Sequence, residues 1–66
     1  MQIVFNGQER IVPVDSSIAE LLDSLKLAPK QVAVEVNREL VPRARHADVR
    51  LAAGDEVEVV TLVGGG

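Results

Sequence analysis

One segment of this chain has a helical repeat, and it must serve whatever sheet the remaining segments build. Ile18, Leu21, Leu22 and Leu25 fall at i, i+3, i+4 and i+7, which lines one side of an α-helix. Glu20, Asp23, Ser24 and Lys26 take the opposite side. Ser17 and Glu20 have the spacing of a capping box, in which a hydroxyl and a carboxylate each satisfy a free backbone N–H. Pro29 blocks further helix. A chain of 66 residues is a single domain with a small core, because at this size only about 60% of the unfolded surface is buried. One apolar helix stripe can cover one sheet face, so the economical solution has two layers.

The rest of the chain reads as strands and turns. Residues 1–5 are β-branched or apolar in the main, and Asn6-Gly7 after them is a strong hairpin signal, since both central residues of a type I′ turn need positive φ. Residues 9–14 form the returning strand. Pro13 has no ladder donor, which assigns this strand to an edge. Val32, Val34 and Val36 alternate with Ala33 and Glu35, as in a strand with one buried face. Asn37-Arg38-Glu39 reads as a turn, Leu40-Val41 as a short extended piece ended by Pro42, and Ala53-Gly54-Asp55 as another turn. Val49 and Leu51 read as minor core contacts, and residues 56–63 as the final strand. With the first and last strands parallel and adjacent in the middle, the expected class is α+β. It is a β-grasp (ubiquitin-like) fold, a mixed sheet of four to five strands with one helix packed on one face.

Composition narrows the function. The absence of cysteine rules out disulfides, thiolate metal sites and cysteine nucleophiles, and points to a reducing cytoplasm. Residues 1–5 lead straight into a strand, so no signal peptide is expected, and no apolar run is long enough to span a membrane. A net charge of −3 and a single aromatic residue, Phe5, argue against nucleic acid as a partner. His46 lies in the polar, basic stretch 43–48, which reads as an exposed loop; with no second histidine or cysteine it reads as a solvated side chain with no metal or catalytic role. No nucleophile–base set is visible, so the chain is not expected to be an enzyme, and no bound cofactor or metal is expected.

Chemistry concentrates at the end of the sequence. Gly64, Gly65 and Gly66 follow a strand of branched apolar residues. Glycine lacks Cβ, so it passes through a narrow channel and adopts angles that other residues avoid. A terminal carboxylate, with a pKa of about 3.5, is ionised at neutral pH. It can attack the α-phosphate of ATP, and the resulting acyl-adenylate can be opened by a sulfur donor. Three extended residues cover only roughly 10 Å, so Leu62 and Val63 would sit at the mouth of a recessed adenylation site. A glycine pair alone is equally compatible with a frayed end; a β-grasp pattern before it favours the chemical reading. The expected domain therefore runs from 1 to 66, with a flexible glycine tail at 64–66.

The chain also resembles the ThiS family of sulfur carriers of bacterial thiazole (thiamin) biosynthesis. The similarity lies in Met1-Gln2-Ile3 with Asn6-Gly7, the helix segment 18–22, and Val34-Glu35-Val36-Asn37. It continues in Val41-Pro42-Arg43, Gly54-Asp55-Glu56-Val57-Glu58 and Val63-Gly64-Gly65-Gly66. No single piece is diagnostic; the ordered set at this length is fairly specific. The resemblance implies that a ThiF-like adenylyltransferase activates the Gly66 carboxylate with ATP. A sulfur-relay protein converts it to a thiocarboxylate, and a ThiG-like thiazole synthase takes up the sulfur. Gly65 and Gly66 correspond to the family's functional diglycine. The rivals are a MoaD-like carrier for molybdopterin, a ubiquitin-like modifier conjugated through Gly66, and a passive binding module.

Period 2 sorts the last strand. Glu58, Val60 and Leu62 face away from Val57 and Val59. If the latter pair is buried, Val60 and Leu62 are exposed apolar residues beside the tail and, with Glu58 and Val63, the expected partner-docking patch. The alternative is that this face is covered within the fold. Asp55, Glu56, Glu58, Glu35 and Glu39 suggest an acidic docking surface or a plain solvated one; Arg43, Arg45 and Arg50 form a local basic cluster or scattered solvated charges.

Overall fold

Two tight turns with the same backbone geometry organise the sheet. In this computed structural model, which describes residues 1–62, Asn6 and Gly7 have φ of 48° and 82°, and Asn37 and Arg38 have φ of 52° and 70°. Positive φ at both central residues is the type I′ signature, whose twist matches that of paired strands. The first turn joins β1 (Gln2–Phe5) to β2 (Gln8–Ile11), and the second joins β3 (Val32–Val36) to β4 (Glu39–Val41). Glu39, expected in the turn, already pairs with Val36. β2 stops at Ile11, short of the expected 14. Val12 N–H still reaches Met1 O at 2.8 Å, but Pro13 has no N–H and Asp15, at φ 65°, turns the chain away.

The helix α1 (Ile18–Ser24) starts with the expected capping box: Glu20 N–H donates to Ser17 Oγ at 3.0 Å, and Ser17 N–H to Glu20 Oε1 at 2.8 Å. It ends in a Schellman motif well before Pro29. Leu27 N–H bonds Leu22 O at 2.9 Å, Lys26 N–H bonds Asp23 O at 3.0 Å, and Lys26 takes the left-handed φ of 59° usually left to glycine. Leu25 thus falls just past the helix and is only partly buried, whereas Ile18, Leu21 and Leu22 are core.

β5 (Glu56–Thr61) closes the sheet in the order β2-β1-β5-β3-β4. It runs parallel to β1 through Val4↔Glu56 and Phe5↔Val57, and antiparallel to β3 along Val32–Val36. The first and last strands are neighbours and parallel, with α1 on one face; this is the β-grasp arrangement. Ile3, Ile18, Leu22, Val34 and Val57 are fully buried between the layers. Among the described residues no helix is long and apolar enough to cross a membrane.

The stretch 43–51 departs from its sequence reading. Residues 43–45, 47 and 48 are exposed, as expected, but Arg43–Arg45 form a 3-10 turn, His46 is 3% exposed, and Leu51 is a full core member. The cause is the helix start. The first amides of a helix have no partner within it and need acceptors from elsewhere. Here Ile18 N–H bonds Val49 O at 3.1 Å and Ala19 N–H bonds His46 O at 3.0 Å, which draws 46–49 against the helix. The buried imidazole has Nε2 at 3.1 Å from Val41 O, and Nδ1 has no partner among the described residues.

The capping box makes stability depend on pH. The Ser17 backbone N–H, then its hydroxyl, then the Arg50 charge hold the Glu20 carboxyl below its ordinary 4.5. A carboxyl whose folded pKa is depressed adds stability above its unfolded pKa and loses it as pH falls through the folded value. Glu20→Gln keeps a capping acceptor but does not titrate. The wild type should therefore exceed the variant in urea midpoint at pH 7, with the gap shrinking as pH falls below about 4.5.

Candidate functional site

β5 leads to the glycine tail, and its two faces do different work. Val57 and Val59 point into the core, while Glu58, Val60 and Leu62 are exposed, with Val60 58% and Leu62 53% accessible. The alternation read from sequence is the one observed. Beyond the strand, Leu62 N–H still bonds Gln31 O at 2.8 Å, so the chain stays aligned with β3's approach as far as Leu62. Val63, Gly64, Gly65 and Gly66 lie outside the described residues.

The register extends this surface across the sheet. Val60 lies opposite Ala33 and Glu58 opposite Glu35, while Leu40 continues the Glu35 row on β4. Glu56 lies beside Val4, whose β2 partner is Glu9. The helix covers the other face, so this one is open. Its tail end is apolar, with Val60, Leu62 and Ala33; its far end is acidic, with Glu9, Glu35, Glu56 and Glu58. Glu35 and Glu58 face each other directly, and neither takes part in an ion pair among the described residues. Like charges so placed are destabilising.

Two other acidic residues fall away from this surface. Glu39 pairs with Val36, on the core-facing side of β3. Asp55 serves its turn: Oδ2 accepts from Ala52 N at 2.8 Å and Oδ1 from Asn37 Nδ2 at 3.1 Å. The basic cluster also divides. Arg50 Nη1 donates to Asp15 O at 2.8 Å and lies 3.5 Å from Glu20 Oε1, near the helix start, whereas Arg43 and Arg45 sit in the 3-10 turn.

Sequence reading assigned Asn6 and Asn37 only to turns, yet their side chains hold β5. Asn37 Oδ1 accepts from Glu56 N at 3.0 Å, and Asn37 N–H donates to Glu56 O at 2.7 Å. Asn6 Oδ1 accepts from Val59 N at 2.8 Å, and Asn6 Nδ2 donates to Val59 O at 3.2 Å. The Asn-Gly pair signals the turn; no local pattern signals a side-chain partner 53 residues away.

Comparison with known proteins adds to this geometry. The ThiS family profile matches residues 3–66. A thiazole synthase from Paramagnetospirillum magneticum is 39% identical over 66 residues, all of this chain, which spans 20% of that protein's length. The sulfur carrier protein ThiS of Escherichia coli is 30% identical over the full length of both chains. The crystal structure of a thiamine biosynthesis protein (ThiS) from Geobacter metallireducens superposes with a TM-score of 0.86, at 33% identity and covering all of both chains.

The facing glutamates yield a stability prediction. Glu35→Lys turns a like-charge cross-strand pair into an opposite one, and should stabilise the fold by about 0.2–1 kcal/mol. Urea unfolding in low salt should show the gain, and added salt should reduce it.

Proposed function

Because this chain belongs to the ThiS family, we propose that it is a sulfur carrier of thiamin (thiazole) biosynthesis that works through the carboxylate of Gly66. The observation that carries this reading is the extent of the family match, which includes the glycine triplet after a β-grasp domain. In this role the chain is a cosubstrate. A ThiF-like adenylyltransferase binds ATP, and a carboxylate oxygen of Gly66 attacks the α-phosphorus. Pyrophosphate leaves, and the glycyl carbon becomes an acyl-adenylate. A sulfur nucleophile from a relay protein attacks that carbon and AMP departs. With the terminal sulfur of a relay persulfide as that nucleophile, a thiol then attacks the relay's own sulfur, forming a disulfide and releasing the thiocarboxylate, from which a ThiG-like thiazole synthase takes its sulfur. The thiazole synthase relative supports that last partner, since a stretch like this whole chain makes up part of its length.

The folded domain contributes recognition. Val60 and Leu62 offer apolar area next to the tail, and Glu58, with Glu35 and Glu56 beside it, offers negative charge. Such a surface fits a partner with an apolar channel mouth flanked by basic side chains. Val63 would extend the apolar part, and Gly64 and Gly65 would traverse the channel because they have no side chain to clash with its walls.

Intact mass spectrometry tests the chemistry. Incubation with a ThiF-like enzyme, ATP and a sulfur donor should raise the mass by the difference between a sulfur and an oxygen atom. Protein conjugates of higher mass would indicate a modifier instead, and an unchanged mass would remove the carrier reading.

A second prediction addresses docking. Leu62 follows the strand and is half exposed, so Leu62→Asp should leave the unfolding midpoint close to wild type. It should raise the KM of adenylation by about tenfold or more, since a buried leucine side chain contributes roughly 1.5–3 kcal/mol and a buried carboxylate adds a penalty. Unaltered activation kinetics would exclude Leu62 from the interface.

A further inference from the structure

Strand β5 is held unequally along its two edges. Backbone groups of residues 56 and 62 point toward β3's side of the sheet, as the bonds Asn37 N–H to Glu56 O and Leu62 N–H to Gln31 O record. By strand alternation those of 57, 59 and 61 point toward β1. On that side β1 supplies a partner only at the beginning: Val4↔Glu56 and Phe5↔Val57, followed by Asn6 N–H to Val57 O at 2.9 Å. At Asn6 the chain enters the left-handed region and leaves the sheet. The next backbone groups of β5, those of Val59, would have no strand beside them. The Asn6 carboxamide fills the place, accepting from Val59 N and donating to Val59 O. It acts as one more residue of β1, made from a side chain.

Few side chains meet these demands. The position needs a residue that tolerates φ of 48° and presents a donor and an acceptor together at short reach. Aspartate tolerates the angle but sets a second carboxylate oxygen against Val59 O. Glycine tolerates the angle and offers neither group. Past Val59 no described residue bonds the Thr61 backbone on this side. Among the described residues Val59 is thus the last point at which β5 is gripped on both edges, seven residues before Gly66.

We propose that Asn6 is a positioning residue for the chemistry at Gly66: its carboxamide clamp on Val59 sets the direction in which β5 delivers the tail to the activating enzyme. This rests on the sulfur-carrier reading and adds a residue remote from the tail to it. The docking face, made by Glu58, Val60 and Leu62, is not built by Asn6. Loss of the clamp should therefore spare binding and impair the alignment of the carboxylate with its target, where displacements of about 1 Å cost as much as a hundredfold in rate.

The test compares wild type, Asn6→Gly and Asn6→Asp in ATP–pyrophosphate exchange with a ThiF-like adenylyltransferase, at a temperature where urea titration shows each chain folded. Both variants keep the left-handed turn, so either one suffices if the other fails to fold. The expected result is a fall in kcat of about tenfold with KM within about twofold, together with faster hydrogen exchange at Val59 N–H. Faster exchange at Val59 with unchanged kcat would overturn the proposal and leave Asn6 a purely structural residue. A rise in KM alone would also overturn it. Failure of the wild type to support exchange would sink the carrier reading, and the positioning role with it.

Discussion

Insertion of β5 between β1 and β3 is the constraint on which the rest of this structure depends. The last strand in sequence is the middle strand in space, so neither hairpin has a complete neighbour until the C-terminal segment arrives. The β1–β5 pairing joins residues near opposite ends of the chain, while each hairpin closes through a two-residue turn. Loop closure of that length costs entropy before any contact repays it, so the hairpins and helix form the local structure that the final strand completes. Val57 and Val59 then supply the floor against which Ile18, Leu21 and Leu22 pack. In the proposed role, the tail is attached to the element whose removal would dismantle the core.

This attachment explains how one strand can serve stability and recognition together. Its alternation directs Val57 and Val59 inward and Glu58, Val60 and Leu62 outward. A one-residue slip would exchange the two sets and bury a carboxylate, so the core fixes which residues a partner meets. The open face is not tuned for stability: it leaves Leu40, Val60 and Leu62 in water and sets Glu35 against Glu58. A chain with so small a core has little stability to give up. That such costs collect on the one open face of the sheet is consistent with a face that a partner covers.

The features legible in the sequence were those encoded by neighbours in the chain. The Ile18, Leu21, Leu22 stripe, the Ser17–Glu20 box, both tight turns and the parity of β5 each need only a few consecutive residues to be read. Elements failed at the places where distant groups decide. His46 looked solvated because its neighbours are polar, yet the unsatisfied amides at the start of α1 draw its carbonyl inward and the ring follows. Leu51 was read as a minor core contact, yet its N–H bonds Ser16 O at 2.8 Å and its side chain is a full member of the core. The acidic cluster was legible as composition only. Register separates Glu39 from Glu35 and Glu58, and a turn hydrogen bond claims Asp55.

The two asparagines show why such long-range features escape a local reading. A type I′ turn selects asparagine for its tolerance of positive φ, a requirement satisfied wholly within the turn. The same side chain carries a donor and an acceptor that the turn does not consume. Here each amide faces β5, Asn37 at Glu56 on one edge and Asn6 at Val59 on the other. The hairpins therefore hold the central strand with groups that local conformation had already placed there. Glycine would satisfy the turn equally well and would leave Val59 without its partners on the β1 side. The choice of asparagine over glycine is thus explained by the strand it touches, and that strand is the one leading to Gly66.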